Sequence, residues 1–173
     1  MQFFSGFSLK NEQHFFDRFL KKSDYTIAGF SYGAIDALQA SLHAIATGRR
    51  VDTLQLLSPA FFQTKEQKFK RLQMMAYKKD KDAYMQEFVK ACFSPYDVQK
   101  TQHRTTCIEE LEELLYYEWS LESLKKLQEH GVKIEVYLGF EDKIIDVAAA
   151  KEFFIAYTTV ISIKKANHFL QEH

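Results

Sequence analysis

Short apolar runs alternate along this chain with longer segments in which apolar residues recur every three or four positions. A buried parallel strand gives a short continuous apolar run, whereas a helix that packs on one side gives the longer period. The runs that predict strands are residues 1–4, 25–28, 51–60, 132–139 and 159–164. Because helical patterns separate these runs, the sequence predicts an α/β fold with about five mostly parallel strands.

The helical patterns divide the chain into a core and an insertion. Residues 11–22 predict a helix whose apolar face carries Phe15, Phe16, Phe19 and Leu20. Further helices follow the second and fourth predicted strands, but most of residues 61–119 is helical in pattern without a convincing strand. We therefore expect a core formed by residues 1–60 and 120–173, with residues 61–119 inserted between two core strands as a helical lid.

The segment TIAGFSYGAIDAL, residues 26–38, places a serine between two glycines where an apolar run becomes a helical pattern. Gly29, Ser31 and Gly33 fit G-x-S-x-G, which sets a nucleophilic serine on a tight turn between a strand and a helix. The elbow glycines remove Cβ atoms that would otherwise collide with neighbouring elements. The helix N-terminus offers N–H groups to a developing oxyanion. The same residues also fit a serine that only caps a helix.

Two further residues favour the catalytic interpretation. Asp142 lies just beyond the predicted strand 132–139, and His168 lies just beyond the last predicted strand. Loops at the carboxyl ends of parallel strands share one edge of the sheet, so Ser31, Asp142 and His168 are expected to converge there. Considered alone, Asp142 is also consistent with a residue that only forms a turn, and His168 with a histidine on the protein surface. Their chain order, Ser then Asp then His, is that of an α/β-hydrolase triad.

The segments AGFSYGA, GFEDKI and NHFL resemble the nucleophile, acid and histidine segments of the α/β-hydrolase superfamily. FFSGFSLKNE resembles the oxyanion loop, with Ser5 in place of the usual histidine and Gly6 retained. This resemblance implies an oxyanion hole formed by the backbone N–H groups of Phe7 and Tyr32. Asn167 takes the place of the glycine that usually precedes the histidine, and asparagine tolerates a positive φ.

The chain differs from the usual superfamily pattern at its N-terminal side, because only about 24 residues precede the strand that leads to Ser31. Members of the superfamily usually have two more strands before the oxyanion strand, and a further strand and helix before the nucleophile. The expected structure is therefore a reduced α/β-hydrolase fold whose N-terminal strand leaves an edge exposed.

Composition and charge exclude several other classes of function. Lys and Arg together number 23, as do Asp and Glu, so no overall field favours nucleic-acid binding. The six histidines are dispersed and no HExxH motif occurs, so neither a metal nor a cofactor is expected. Cys92 and Cys107 are expected to be free buried thiols. With no export signal or apolar run of about 18 residues, a cytoplasmic location is expected.

The predicted lid carries the residues that bear on the substrate. Its aromatic and apolar side chains fit a slot for an acyl chain, although most of them would serve simply to pack the helices. They are Phe61, Phe62, Phe69, Leu72, Met74, Met75, Tyr77, Tyr84, Met85, Phe88, Val89 and Phe93.

A basic cluster at the start of the lid fits either a solvated helix face or a docking patch for an acidic macromolecule such as acyl carrier protein. Its residues are Lys65, Lys68, Lys70, Arg71, Lys78 and Lys79. A third possibility is that it pairs with the acidic segment that follows. The acidic residues are Glu109, Glu110, Glu112, Glu113 and Glu118.

The N-terminal sequence MQFFSGFSLKNE and the segment GFSYGA, in a short chain rich in Phe and Lys, resemble the short bacterial pimeloyl-acyl carrier protein methyl ester esterases of biotin synthesis, the BioV type. The resemblance implies hydrolysis of that methyl ester to pimeloyl-acyl carrier protein and methanol, with the carrier as partner. An acyl thioesterase or small-ester hydrolase with the same triad, and a non-catalytic binding protein of this fold, remain alternatives.

Overall fold

The computed structural model describes all 173 residues. In chain order its elements are β1 (Gln2–Phe4), β2 (Leu9–Lys10), a 3₁₀ helix (Glu12–Phe16), β3 (Thr26–Phe30), α1 (Gly33–Ala46), β4 (Thr53–Leu57), α2 (Gln67–Lys79), α3 (Lys81–Phe93), β5 (Gln102–His103), α4 (Ile108–Tyr116), α5 (Leu121–Glu129), β6 (Lys133–Gly139), α6 (Val147–Phe154) and β7 (Thr159–Ile163).

The main sheet has five strands, all parallel, in the order β1-β3-β4-β6-β7. Every residue of β3 and β4 is buried, as the continuous apolar runs predict for central strands, whereas β1 and β7 are partly exposed edges. The predicted five-stranded parallel sheet and the reduced α/β-hydrolase fold are thus confirmed. The loops after β3, β6 and β7 lie at the same edge of this sheet.

The predicted helix over residues 11–22 is wrong, since only a short 3₁₀ helix forms there. Asn11 at its start has a φ of 61°, and Phe16 at its end is fully buried. Beyond it, local turns form and two backbone groups bond to a side chain of the sheet. Gln55 of β4 accepts a hydrogen bond from the Lys21 N–H at 2.9 Å and donates one to the Phe19 carbonyl at 2.9 Å.

The segment of residues 61–119 contains α2, α3 and α4, together with a strand that its sequence pattern does not predict. This strand, β5, pairs antiparallel with β2, so that Leu9 lies opposite His103 and Lys10 opposite Gln102. Both residues of β5 are exposed. Two exposed residues show no alternation of apolar and polar positions, which explains why sequence reasoning missed the strand.

The hydrophobic core is one continuous cluster of 40 buried residues that includes side chains from the 61–119 segment, among them Tyr77, Phe93 and Leu111. This segment therefore packs into the core of the sheet instead of forming a separate one. Cys92 is buried as expected, but Cys107 is exposed because it precedes the first turn of α4. The longest helix has 14 residues, and no helix is long and apolar enough to span a bilayer.

Candidate active site

Ser31 stands on a sharp turn between β3 and α1, with a φ of 54°. The left-handed region is costly for a non-glycine residue, so the surrounding structure must hold this turn in place. The two elbow glycines allow the close approach that it needs. A Cβ on Gly29 would collide with the carbonyl oxygen of Gly33, and a Cβ on Gly33 would collide with the carbonyl oxygen of Phe4.

Ser31, His168 and Asp142 form one hydrogen-bonded chain. The Nε2 atom of His168 lies 2.9 Å from the Oγ of Ser31, and its Nδ1 atom lies 2.6 Å from the Oδ2 of Asp142. A carboxylate only accepts hydrogen bonds, so Nδ1 carries the proton of the neutral ring. Nε2 is then free to accept a hydrogen bond from the Ser31 hydroxyl. The structure therefore brings together the three residues that the sequence predicts.

The turn after β6 fixes the Asp142 carboxylate. Its Oδ1 atom accepts hydrogen bonds from the N–H groups of Ile144 at 2.7 Å and Ile145 at 3.3 Å. The Asp142 side chain is fully enclosed. One carboxylate oxygen is thus held by the backbone, and the other faces the His168 ring. This arrangement orients the imidazole.

Asn167 holds the loop that carries His168 through its side-chain amide. Its Nδ2 donates to the Phe93 carbonyl at 2.8 Å, and its Oδ1 accepts from the Gln171 N–H at 3.1 Å. Asn167 has no positive φ, so the expected reason for an asparagine at this position is wrong. Sequence reasoning missed the amide contact because Phe93 lies 74 residues away along the chain.

The expected oxyanion donors, the N–H groups of Phe7 and Tyr32, donate no hydrogen bond to any protein atom. Their side chains meet edge to face, with ring centroids 6.3 Å apart. The Gly6 N–H donates to the Oε1 of Glu12 at 2.7 Å, which fixes the loop just before Phe7. The structure thus leaves both backbone donors free and holds the residues around them. No motif in the sequence points to this function of Glu12.

The side chain of Tyr32 reaches the 61–119 segment. Its hydroxyl donates to the Oε2 of Glu113 on α4 at 2.7 Å. Burial, together with the Glu113 carboxylate, raises the pKa of Tyr32 well above its usual range, so the phenol keeps its proton. Burial also raises the pKa of Asp36, one turn further along α1, and the Glu113 charge adds to this effect.

Two cavities border the 61–119 segment. One of about 330 Å³ lies between α2, α3, α4 and the turn after Asp142, and nine of its twelve lining residues are hydrophobic. Four residues of the expected acyl slot line it, namely Phe62, Phe69, Tyr84 and Phe88. A larger cavity of about 710 Å³ lies between Ser8, α3 and residues 98–106, but only three of its twelve lining residues are hydrophobic. Neither is lined by a triad residue.

The basic cluster lies mainly on the exposed face of α2. Lys68, Arg71, Lys78 and Lys79 are exposed, and no residue of the cluster forms an ion pair. The Nζ of the partly exposed Lys65 lies 5.4 Å from the centre of the Phe69 ring.

Lys70 differs from the rest of the cluster. Its residue is only 4% exposed, and its Nζ lies 5.1 Å from the centre of the Tyr116 ring. This expected docking residue must therefore be removed from the candidate surface. The acidic segment forms no ion pair with the cluster, since its only ion pair joins Glu110 to Arg104 at 2.8 Å.

No protein-family model matches this chain, and no curated protein matches it significantly. Solved structures do match. BioG from Haemophilus influenzae aligns with 98% of this chain and 88% of its own, at 11% identity and a TM-score of 0.61. Naproxen esterase (carboxylesterase NP) from Bacillus subtilis aligns with 95% of this chain at 18% identity and a TM-score of 0.54. An esterase from Exiguobacterium antarcticum aligns with 97% of this chain and 85% of its own, at 14% identity and a TM-score of 0.57.

These likenesses establish that the chain has the α/β-hydrolase fold. The chain spans 62% of the naproxen esterase and 54% of a further structure from Bacillus subtilis. It is thus much shorter than several proteins of the same fold.

Proposed function

We propose that this chain is a serine hydrolase that cleaves carboxylic esters. The hydrogen-bonded chain from Asp142 through His168 to Ser31 carries the proposal. Naproxen esterase and the Exiguobacterium esterase share the fold, which supports ester hydrolysis as the reaction. A buried serine hydroxyl that hydrogen-bonds the free nitrogen of an oriented imidazole is set up to lose its proton as it attacks.

In this mechanism the Ser31 Oγ attacks the ester carbonyl while the Nε2 of His168 takes its proton. The Asp142 carboxylate stabilises the imidazolium that forms. The N–H groups of Phe7 and Tyr32 stabilise the negative charge on the carbonyl oxygen. His168 then returns the proton to the leaving alcohol. A water molecule, activated by the same imidazole, hydrolyses the acyl-enzyme and restores Ser31.

The triad is enclosed, which bears on how a substrate enters. Ser31 is 3% exposed and His168 is fully buried. An ester therefore reaches Ser31 only if groups that enclose it in this structure move apart. The apolar cavity of about 330 Å³ beside the Asp142 turn is at the small end of the range for ligand pockets, and would take a short acyl chain.

We further propose that the substrate is the methyl ester of pimeloyl-acyl carrier protein, and that the products are pimeloyl-acyl carrier protein and methanol in biotin biosynthesis. The resemblance of the sequence to the BioV type supports this assignment. The likeness to BioG, which extends over nearly the whole of both chains, is consistent with it. A short apolar cavity also suits the chain of a small dicarboxylic monoester.

The exposed face of α2 is the proposed docking surface for the acidic carrier. Its cations form no ion pair and share the helix with two exposed apolar side chains, Leu72 and Met75, which are 52% and 65% exposed. Helical spacing places Lys68, Arg71, Leu72, Met75 and Lys79 along one stripe. A stripe of unpaired cations around an apolar centre is complementary to an acidic amphipathic helix.

The test is incubation of pimeloyl-acyl carrier protein methyl ester with the wild-type protein and with Ser31→Ala, followed by mass spectrometry. Loss of one methyl group from the carrier-linked chain, with release of methanol, in wild type alone would support the proposal. Release of the whole acyl chain would instead make the protein a thioesterase. If neither occurs, a fluorophosphonate probe that fails to label Ser31 would indicate a non-catalytic binding protein.

A further inference from the structure

Residues 102–113 of the 61–119 segment, here called the brace, contact the oxyanion loop. Strand β5 of the brace pairs with β2, and the Arg104 N–H donates to the carbonyl oxygen of Ser8 at 2.8 Å. The His103 ring lies 3.3 Å from the Ser8 hydroxyl. Ser8 directly follows Phe7, is 3% exposed and has a φ of 61°. The brace therefore holds the backbone beside the first oxyanion donor.

The other end of the brace holds the residue that carries the second donor. Glu113 accepts the 2.7 Å hydrogen bond from the Tyr32 hydroxyl, and the backbone N–H of Tyr32, the expected second oxyanion donor, has no protein acceptor. An ion pair within the brace, between Arg104 and Glu110 at 2.8 Å, joins its two ends. Tyr32 and the residue that follows Phe7 are thus both bonded to these twelve residues of the insertion.

We propose that the brace positions the oxyanion hole, with Glu113 and Arg104 as positioning residues that act through Tyr32 and Ser8. The inference rests on the proposed hydrolase activity of this site. Backbone donors stabilise an oxyanion strongly only when they are fixed before the reaction, and small displacements lower the rate sharply.

The electrostatics of the brace agree with this function. Burial and the neighbouring carboxylates keep Tyr32 protonated, so its hydroxyl remains a donor to Glu113. A hydrogen bond to a charged acceptor is stronger than one between neutral groups. Three carboxylates meet here, those of Asp36, Glu110 and Glu113, and the Arg104 charge opposes their mutual repulsion.

The experiment compares Tyr32→Phe with Tyr117→Phe. Tyr32→Phe removes only the hydroxyl that bonds Glu113. Tyr117→Phe removes a hydroxyl that also joins α1 to the end of α4, through a 3.1 Å bond from Gln39, but lies on neither oxyanion residue. The readouts are kcat and KM for a small methyl ester, and the Ki of a trifluoromethyl ketone whose adduct with Ser31 places an oxyanion in the hole.

For Tyr32→Phe we expect kcat to fall about tenfold with KM unchanged, and the Ki of the ketone to rise by about the same factor. Glu113→Ala should match it, and Glu113→Gln, which keeps an acceptor oxygen, should recover part of the loss. The double variant Tyr32→Phe/Glu113→Ala should lose no more than either single variant. Tyr117→Phe should leave kcat and Ki unchanged.

Equal losses in Tyr32→Phe and Tyr117→Phe would overturn the inference, because the contact would then serve only to dock α4. A change in KM alone, or a ketone Ki that stays at its wild-type value, would overturn it as well. Failure of the hydrolase proposal would appear earlier and differently, as a wild-type protein that neither hydrolyses the ester nor binds the ketone, and it would remove this inference too.

Discussion

Asn167 Nδ2 donates a 2.8 Å hydrogen bond to the carbonyl oxygen of Phe93, which joins the loop of His168 to the end of α3. Asn167 is fully buried, so neither group has water as an alternative partner. The position of the imidazole therefore depends on a contact with the 61–119 segment. The proposed base, like the proposed oxyanion hole, is held partly by the insertion.

We expect Asn167→Ala to lower the free energy of unfolding by about 1–3 kcal/mol, because it leaves the Gln171 N–H without a partner and the Phe93 carbonyl with only the N–H of Tyr96. It should also lower kcat, since His168 loses its anchor. Asn167→Asp has nearly the same shape and keeps the acceptor for Gln171, but it places a carboxylate against the Phe93 carbonyl. Chemical denaturation and steady-state kinetics measure both effects. Wild-type kcat in Asn167→Asp would show that the bond to Phe93 does not position the imidazole.

For the proposed triad we expect Ser31→Ala and His168→Ala to lower kcat by about 10⁶-fold and Asp142→Asn to lower it by about 10⁴-fold. Thermal unfolding should show that the fold is retained. The matched control is Asp146→Asn, a neighbouring carboxylate whose Oδ1 only accepts from the Ala149 N–H at 3.1 Å to cap α6. Asparagine caps helices as well as aspartate does, so this variant should keep its activity. Near-wild-type turnover in any of the three triad variants would contradict the role given to that residue.

The sequence predicts the sheet and the convergence of Ser31, Asp142 and His168 because the signals for them are local. A buried strand is a short apolar run, and the motif around Ser31 spans only five residues. Asp142 and His168 follow from the rule that parallel strands end at one edge of the sheet. These features depend on the order of elements and not on contacts between distant side chains.

The contacts of the insertion are not predictable in this way. Strand β5 consists of two exposed residues whose pairing depends on β2, about 90 positions away. Lys70 belongs to a basic run by sequence, yet the packing of α2 against α4 buries it beside Tyr116. The helix expected over residues 11–22 does not form along its full length, because tertiary contacts decide the structure there. Gln55 of the sheet hydrogen-bonds two backbone groups of this segment. Each failure arises where a distant partner decides the local structure.

Glu135 in β6 makes stability depend on pH. Burial alone would raise its pKa, but hydrogen bonds from Lys133, Lys21 and Tyr137 outweigh that effect and lower it to about 2. The carboxylate is therefore more acidic in the folded than in the unfolded protein. Its contribution is fully present above the unfolded pKa of about 4.5 and is lost as the pH falls toward 2.

Between pH 7 and pH 3 we expect wild type to lose about 1–2 kcal/mol more stability than Glu135→Gln, measured by denaturant unfolding. The figure is discounted because the lysine side chains are about half exposed, at 45% for Lys21 and 57% for Lys133. Glu141→Gln, which removes an exposed carboxylate 3.7 Å from Lys143, should keep the wild-type pH dependence. Parallel pH profiles for wild type and Glu135→Gln would mean that the two lysines do not stabilise the carboxylate.

The stripe on α2 predicts a substrate-dependent effect of charge reversal. We expect Arg71→Glu to lower kcat/KM for pimeloyl-acyl carrier protein methyl ester by roughly tenfold and to weaken its dependence on salt, because the rate of encounter with an acidic carrier rises with unpaired cations. Hydrolysis of dimethyl pimelate, which has no carrier, should be unchanged. Lys126→Glu on α5, outside the insertion, is the matched charge reversal and should affect neither substrate. If Arg71→Glu lowers both rates equally, the residue serves the fold of the insertion; if it lowers neither, the stripe is a solvated helix face.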